Sequence, residues 1–201
     1  EARFIDAHTV EIRSPNGGTR QLTSDYFLIS TGSAPFHPPE IPFDDEDVDD
    51  SDTILQIDRL PKTMTVIGGG VIGCEYATMF AAMHVNVTLI EPRNRLLPFL
   101  DFEMGERLRT AMQGLSIDIR LGERTRNIFR DGPRGIVCEL DNGQIIITEK
   151  LLVASGRSGR TQNLGLERIG VSTDKRGHII VDGSYRTEVP NVYAAGDVIG
   201  F

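Results

Sequence analysis

The stretch VIGGGVIGCE, residues 66–75, places Gly68, Gly70 and Gly73 at the spacing G-x-G-x-x-G. It leaves an apolar run with strand character and opens a run with helical periodicity. Each glycine has a mechanical reason. The first permits a tight turn, and the second lets backbone approach a pyrophosphate with no Cβ in the way. The third lets the new helix pack closely on its strand. Gly69, Val71 and Ile72 complete the loop, whose unpaired N–H groups lie at the positive end of the helix, where an anion is stabilised. The chemistry predicted is capture of a dinucleotide.

A second signal agrees. The apolar run VNVTLIE ends in Glu91, 23 positions after Gly68, near the roughly 20-residue offset at which a carboxylate meets adenosine ribose hydroxyls. A carboxylate there favours NAD(H) and repels the 2′-phosphate of NADP(H). Arg93 and Arg95 follow at once, either as phosphate partners or as members of a solvated loop. These residues predict NAD(H) preference with tolerance of NADP(H), and pyridine nucleotides as the partners.

Other chemistry-bearing residues show no common purpose. His8, His37, His84 and His178 have no mutual spacing that suggests a metal or a catalytic dyad, so surface or satisfied polar roles are expected. Cys74 follows the third glycine, where a helix N-terminus lowers a thiol pKa. No base is assigned near it, and a packing role is expected. The acidic run from Asp44 to Asp52 fails the calcium-loop template, with Asp50 where glycine is needed and Gln56 where glutamate is needed. It reads as a solvated loop, because like charges repel into water. No metal site and no acid–base catalyst is expected. Met79 and Met83 share a helical face and read as core.

The elements that must hold the glycine loop are legible around it. TMTVIG is a buried strand, GVIGCEYATMFAAMH an apolar-faced helix and VNVTLIE a second strand, which together form a βαβ unit. A helix follows near DFEMGERLRTAMQ, then β segments at 117–120, 125–130, 136–140 and 145–148. KLLVASG is another buried strand ending at glycine. Before the unit, HTVEIRS alternates, PNGG turns and YFLIST is a buried strand running into Gly32. After it come the short segments HIIVD and NVYAAGD.

Composition narrows the function classes. The chain has 201 residues, 39% apolar, with 29 acidic and 21 basic residues and a net charge of −8. That balance argues against nucleic acid or an anionic membrane as partner, since both select for clustered Lys and Arg. No apolar run is long enough to span a bilayer, and EARFIDAHTV has no signal-peptide layout. Two cysteines, Cys74 and Cys138, fit a reducing compartment, so a cytoplasmic location is expected.

Four motifs in order carry a resemblance: ISTGSAP (29–35), VIGGGVIGCEYA (66–77), VASGRSGRTQNLGLE (153–167) and VYAAGDVIG (192–200). The chain resembles the flavin-dependent pyridine nucleotide–disulfide oxidoreductases along essentially its whole length. The resemblance implies an α/β protein: a Rossmann-like NAD(P)-binding domain, parallel sheet plus β-meander, inserted into an FAD-binding domain. The former would be 62–151, and 1–61 with 152–201 would be pieces of the latter. Glu75 would lie near the nicotinamide, Gly156 on the nicotinamide side and Thr125 at the adenine end. Thr31, Gly32 and Ser33 would lie along FAD, with Asp197 accepting from a ribityl hydroxyl beside Gly196. The implied activity is hydride transfer between NADPH or NADH and NAD(P)+ through FAD. A dithiol enzyme resembling dihydrolipoamide dehydrogenase is the alternative, and a non-catalytic NAD-binding redox sensor is a second.

The chain also departs from the family pattern. A second glycine loop for the FAD phosphates, a C-x-x-x-x-C redox pair and a C-terminal dimerisation domain are not in it. The chain therefore reads as the middle of a larger enzyme that is a homodimer or a larger oligomer, cut at Phe201, inactive alone and without tight FAD binding. Apolar surface from YFLIST and NVYAAG is expected to be exposed and to favour self-association.

Overall fold

The computed structural model describes residues 1–200, and the expectation attached to Phe201 lies outside them. The chain divides into two compact units: residues 1–34 with the stretch from Arg157 onward, and Pro35–Gly156 between them. The inner unit begins well before the expected border at 62, because residues 35–61 give its sheet a strand.

The outer unit opens with an antiparallel meander of β1 (Ala2–Asp6), β2 (Thr9–Arg13) and β3 (Thr19–Thr23). Next come β4 (Phe27–Ile29) and β5 (Ser33–Pro35). In the inner unit β6 (Val48–Asp50) and β7 (Thr63–Ile67) precede α1 (Val71–Ala82). Strand β8 (Asn86–Glu91), α2 (Phe102–Gly114) and β9 (Asp118–Leu121) follow. Then a meander of β10 (Thr125–Arg130), β11 (Ile136–Leu140) and β12 (Ile145–Thr148) leads into β13 (Lys150–Val153). The outer unit resumes with β14 (Arg157–Gly159), a single helical turn α3 (Leu166–Ile169) and β15 (Val192–Ala194).

The inner sheet has the order β6-β13-β7-β8-β9 and is parallel throughout. A parallel sheet must be covered on both faces, and the alternation along its strands divides the labour. Met64, Val66, Val87, Leu89 and Leu152 pack with Cys74, Ala77 and Phe80 of α1 and Met112 of α2. Ile67, Leu151 and Val153 point the other way, onto Ile128, Ile136 and Cys138 of the meander. Asp101 caps α2 by accepting from the Glu103 N–H at 2.9 Å.

Several sequence expectations need correction. Met79 and Met83 are 53% and 42% exposed. The core face of α1 is narrow, built from Gly73, Cys74, Ala77 and Phe80, and the methionines share the opposite face. HIIVD forms no strand: Thr173 and Ile179 make one isolated bridge, and the Ile179 N–H donates to Val198 O. YFLIST is covered on one side only, with Ile29 buried and Leu28 66% exposed.

The acidic run is solvated only at its flanks, where Asp44, Glu46 and Asp52 are exposed, and not at its centre. Val48, Asp49 and Asp50 of β6 are all buried. Cations from other strands offset the like charges: Lys150 Nζ lies 2.9 Å from Asp49, and Arg130 bridges Asp45 and Asp47, the latter at 2.7 Å. The Arg130 guanidinium holds the Asp45 carboxyl below its usual range. Asp50 accepts from the N–H groups of Asp52 and Thr53 and pairs with His37 at 2.6 Å. Sequence separation hid these partners, which lie about a hundred positions apart for Lys150 and Asp49.

Candidate dinucleotide-binding edge

Because the inner sheet is parallel, its strands all end on one edge, the edge at which α/β sheets bind ligands. The glycine loop leaves β7 there. Gly68 has φ 108°, a left-handed conformation that a side chain resists, and its N–H donates to Ile90 O at 2.8 Å. A Cβ on Gly73 would overlap the Gly68 carbonyl and stand 3.4 Å from the Ala154 Cβ. The first and third glycines thus need each other. Gly70 differs: a Cβ there would meet nothing within 4 Å. It is also the N-cap of α1 and offers no side-chain cap, so the first-turn N–H groups of the helix have no side-chain acceptor. Open space over an uncapped helix start fits a pyrophosphate.

Gly69 proves as constrained as the motif glycines. Its N–H donates to Glu91 Oε2 at 2.6 Å, and its carbonyl accepts from Leu97 N–H at 3.1 Å. A Cβ there would lie 2.6 Å from Leu96 Cδ2. The end of β8 and the segment after it therefore both hold the glycine loop, through Glu91, Leu96 and Leu97. Leu96 and Leu97 were not identified from sequence, and only their apolar character hinted at them.

Glu91 ends β8 at this edge and is 1% exposed. Besides Gly69, its carboxylate accepts from the Arg93 N–H at 2.9 Å, Arg93 Nε at 2.7 Å and Arg93 Nη2 at 3.0 Å. Burial opposes its ionisation, yet the bonds from Arg93 and Gly69 prevail and hold the carboxyl below its ordinary range. Arg95 is used differently, donating to the carbonyls of Pro98 and Leu100.

The other expected residues of the inner unit scatter around this edge. Val71 and Ile72 open α1, with Val71 exposed. Glu75 is exposed one turn further on, outside the first turn of the helix. Thr125 begins β10, and Gly156 follows β13 with φ 100° while its carbonyl accepts from Phe36 N–H at 2.9 Å. Cys74 is a packing residue: burial pushes its thiol up to about 11, and that of Cys138 up to about 12. Among the described residues no group of three or more His, Cys, Asp or Glu could hold a metal ion. None of the described helices is long and apolar enough to cross a membrane.

The outer unit holds a second carboxylate at a strand end. β4 and β15 pair in parallel, so Thr31–Ser33 and Gly196–Asp197 leave the same edge of that pair. Ser33 Oγ donates to Asp197 Oδ2 at 3.0 Å and accepts from Arg157 Nε at 2.7 Å. Arg157 Nη2 also donates to Ser33 O at 3.1 Å. Thr31 Oγ1 donates to Arg160 O at 2.7 Å, and Arg160 N–H donates to Gly32 O at 2.9 Å. Asp197 itself is exposed, beside Gly196 with φ 78°. An exposed carboxylate beside a positive-φ glycine can accept a hydrogen bond from a ligand hydroxyl that approaches the backbone closely. Arg157 was not foreseen, although GR at 156–157 marked the place.

Comparison with known proteins agrees with this geometry. The family model described as pyridine nucleotide-disulphide oxidoreductase matches residues 1–200. The soluble pyridine nucleotide transhydrogenase of Pectobacterium atrosepticum is 44% identical over 202 residues, covering 100% of this chain and 43% of that protein. The Pseudomonas aeruginosa protein of the same name is 42% identical with the same coverage. Among solved structures, the HOCl-induced flavoprotein disulfide reductase RclA from Escherichia coli superposes with TM-score 0.89 at 29% identity, over 100% of this chain and 45% of its own. LpdA from Mycobacterium tuberculosis gives 0.90 at 25% identity, over 100% and 44%. The chain spans less than half the length of the curated relatives it matches. A parallel sheet with a glycine loop, covered by helices on one face and a meander on the other, and a family match along its length, give one conclusion: the chain belongs to the pyridine nucleotide–disulphide oxidoreductase family.

Proposed function

We propose that this chain is the central, pyridine-nucleotide-binding part of a flavoprotein that moves hydride between NADPH or NADH and NAD(P)+ through FAD. The carrying observation is the glycine-loop edge, where an uncapped helix start, open space over Gly70 and a carboxylate anchored to Gly69 N–H meet. The relatives named soluble pyridine nucleotide transhydrogenase support this choice within the family. FAD, when bound, supplies the hydride acceptor and donor. The residues of this chain bind and orient. The N–H groups of Val71 and Ile72 receive pyrophosphate oxygens, Glu91 addresses the adenosine ribose, and Glu75, Thr125 and Gly156 line the nicotinamide and adenine ends. Thr31, Gly32, Ser33, Gly196 and Asp197 hold FAD, with Asp197 bonded by Ser33, whose own hydroxyl accepts from Arg157. No side chain here is assigned a proton-transfer role.

A disulfide reductase is the second reading, favoured by the structural likeness to the flavoprotein disulfide reductase RclA. Cys74 and Cys138, buried and with thiols raised, do not supply its redox pair. In that reading the pair lies elsewhere in the full-length protein. A cytoplasmic homodimer is proposed for either. The test is transfer from NADPH to the thionicotinamide analogue of NAD+ by the full-length protein. Flavin-dependent formation of the reduced analogue is expected. Reduction of a disulfide with no analogue turnover would overturn the transhydrogenase reading.

A further inference from the structure

The Glu91–Arg93 pair raises a question that cofactor capture alone does not answer. A carboxylate at the end of β8 selects against a 2′-phosphate, yet the reading above requires both NAD(H) and NADP(H) at one glycine loop. The hydrogen bonds suggest how one edge serves both. A carboxylate offers about four lone-pair positions. At Glu91 two of the four donors are backbone N–H groups, of Gly69 and Arg93, and two are N–H groups of the Arg93 guanidinium.

The two pairs of donors differ in permanence. Gly69 is fixed by Leu97, and the Arg93 backbone is clamped at both ends, its N–H on Glu91 and its carbonyl accepting from Gly122 N–H at 3.0 Å. The Arg93 side chain is 54% exposed, free to leave without disturbing that clamp. Its departure uncovers two acceptor positions on Glu91, and the 2′,3′-diol of NAD(H) brings two hydroxyl donors to fill them. While it stays, the guanidinium spends Nε–H and one Nη2–H on Glu91 and keeps three N–H groups for another anion. The pair then carries no net charge, so Glu91 no longer repels a 2′-phosphate.

We propose that Glu91 and Arg93 form a two-position selector: the closed pair, with Arg93 on Glu91, takes the 2′-phosphate of NADP(H), and the open pair takes the ribose diol of NAD(H). Arg95 has no part in it, because its guanidinium is held by the carbonyls of Pro98 and Leu100. This rests on the dinucleotide reading of the glycine loop, and it adds that affinity for one nucleotide is held down by the interaction that serves the other.

Equilibrium titration of the full-length protein with NADH and with NADPH tests it, in the wild type and in Arg93→Met, Arg93→Lys and Glu91→Gln. Arg93→Met is expected to weaken NADPH about tenfold or more, the scale of a lost charge-assisted hydrogen bond, and to tighten NADH a few-fold by removing its competitor. Arg93→Lys keeps the charge without the fork and should fall between. Glu91→Gln should weaken NADH and leave NADPH the preferred ligand. Equal weakening of both nucleotides by Arg93→Met, or no change in their ratio, overturns the selector and leaves the glycine-loop reading standing. A wild type that binds neither nucleotide overturns both. Thermal unfolding of each variant separates these outcomes from a loss of fold.

Discussion

Glu91 and Asp197 occupy comparable places in two different units, Glu91 as the last residue of a parallel strand and Asp197 three residues past one, and they are held in opposite ways. Glu91 is buried, with four hydrogen bonds from two residues. Asp197 is exposed, and Ser33 Oγ holds one of its oxygens. The inner unit surrounds its carboxylate because a five-stranded sheet brings the ends of β7, β8 and β13 together. The outer carboxylate rests on a two-stranded pair and draws on Arg157 from outside it. A carboxylate enclosed by its own unit can be traded between partners, whereas an exposed one waits for a single ligand to complete it.

The contrast breaks most completely at Gly73. Replacing it with alanine drives a Cβ into the Gly68 carbonyl, an overpacking cost of about 3 kcal/mol. Thermal unfolding should show a large drop, accompanied by lost NADH binding. Next comes Glu91→Ala, which leaves the buried Gly69 N–H without its acceptor, at about 2 kcal/mol. An unfolding midpoint equal to wild type would mean that Glu91 is not part of the loop.

Acid should test how Glu91 is held. The folded value of Glu91 lies below its unfolded one, so its stabilisation is complete above the ordinary carboxylate value of about 4.3. It is lost as pH falls through the lowered folded value. The stability gap between wild type and Glu91→Gln should therefore be constant from neutral pH down to that region and then close. A gap that widens in acid would contradict the assignment. The smallest effect is expected at Ser33→Ala, which frees Asp197 and removes an Arg157 partner. About 1 kcal/mol of flavin affinity should be lost in the full-length protein, with NADH binding unchanged. Loss of NADH binding there would show that the two edges are not the separate devices described.

How much of this could be read in the sequence depended on the range of the interaction. The glycine loop, α1, β8 and the meander follow local rules of period and turn, and the observed strands 125–130, 136–140 and 145–148 coincide with those read from alternation. Contacts across long separations were invisible. Lys150 gave no sign that it would neutralise Asp49, so the acidic run read as solvent-facing throughout when its centre forms a buried strand. Met79 and Met83 misled because hydropathy names a residue's preference but not which face of α1 meets the sheet. Glu91 was legible by its offset and Arg93 by its charge, but their mutual bond was not, since an i, i+2 pair on a strand exit obeys no fixed rule.

The central claim is that a pyrophosphate lies against the backbone at Gly70. Gly70→Ala tests it directly, because φ is −78° and a Cβ would meet nothing within 4 Å of protein. The substitution should leave the fold intact and change stability by no more than about 1 kcal/mol, because the entropic gain of alanine is offset by its poorer fit at an N-cap. The added methyl would nevertheless stand where the pyrophosphate must approach. The full-length protein should show a little-changed unfolding temperature together with NADH affinity reduced about tenfold or more. An alanine variant that unfolds as wild type and binds NADH as tightly as wild type would contradict the account.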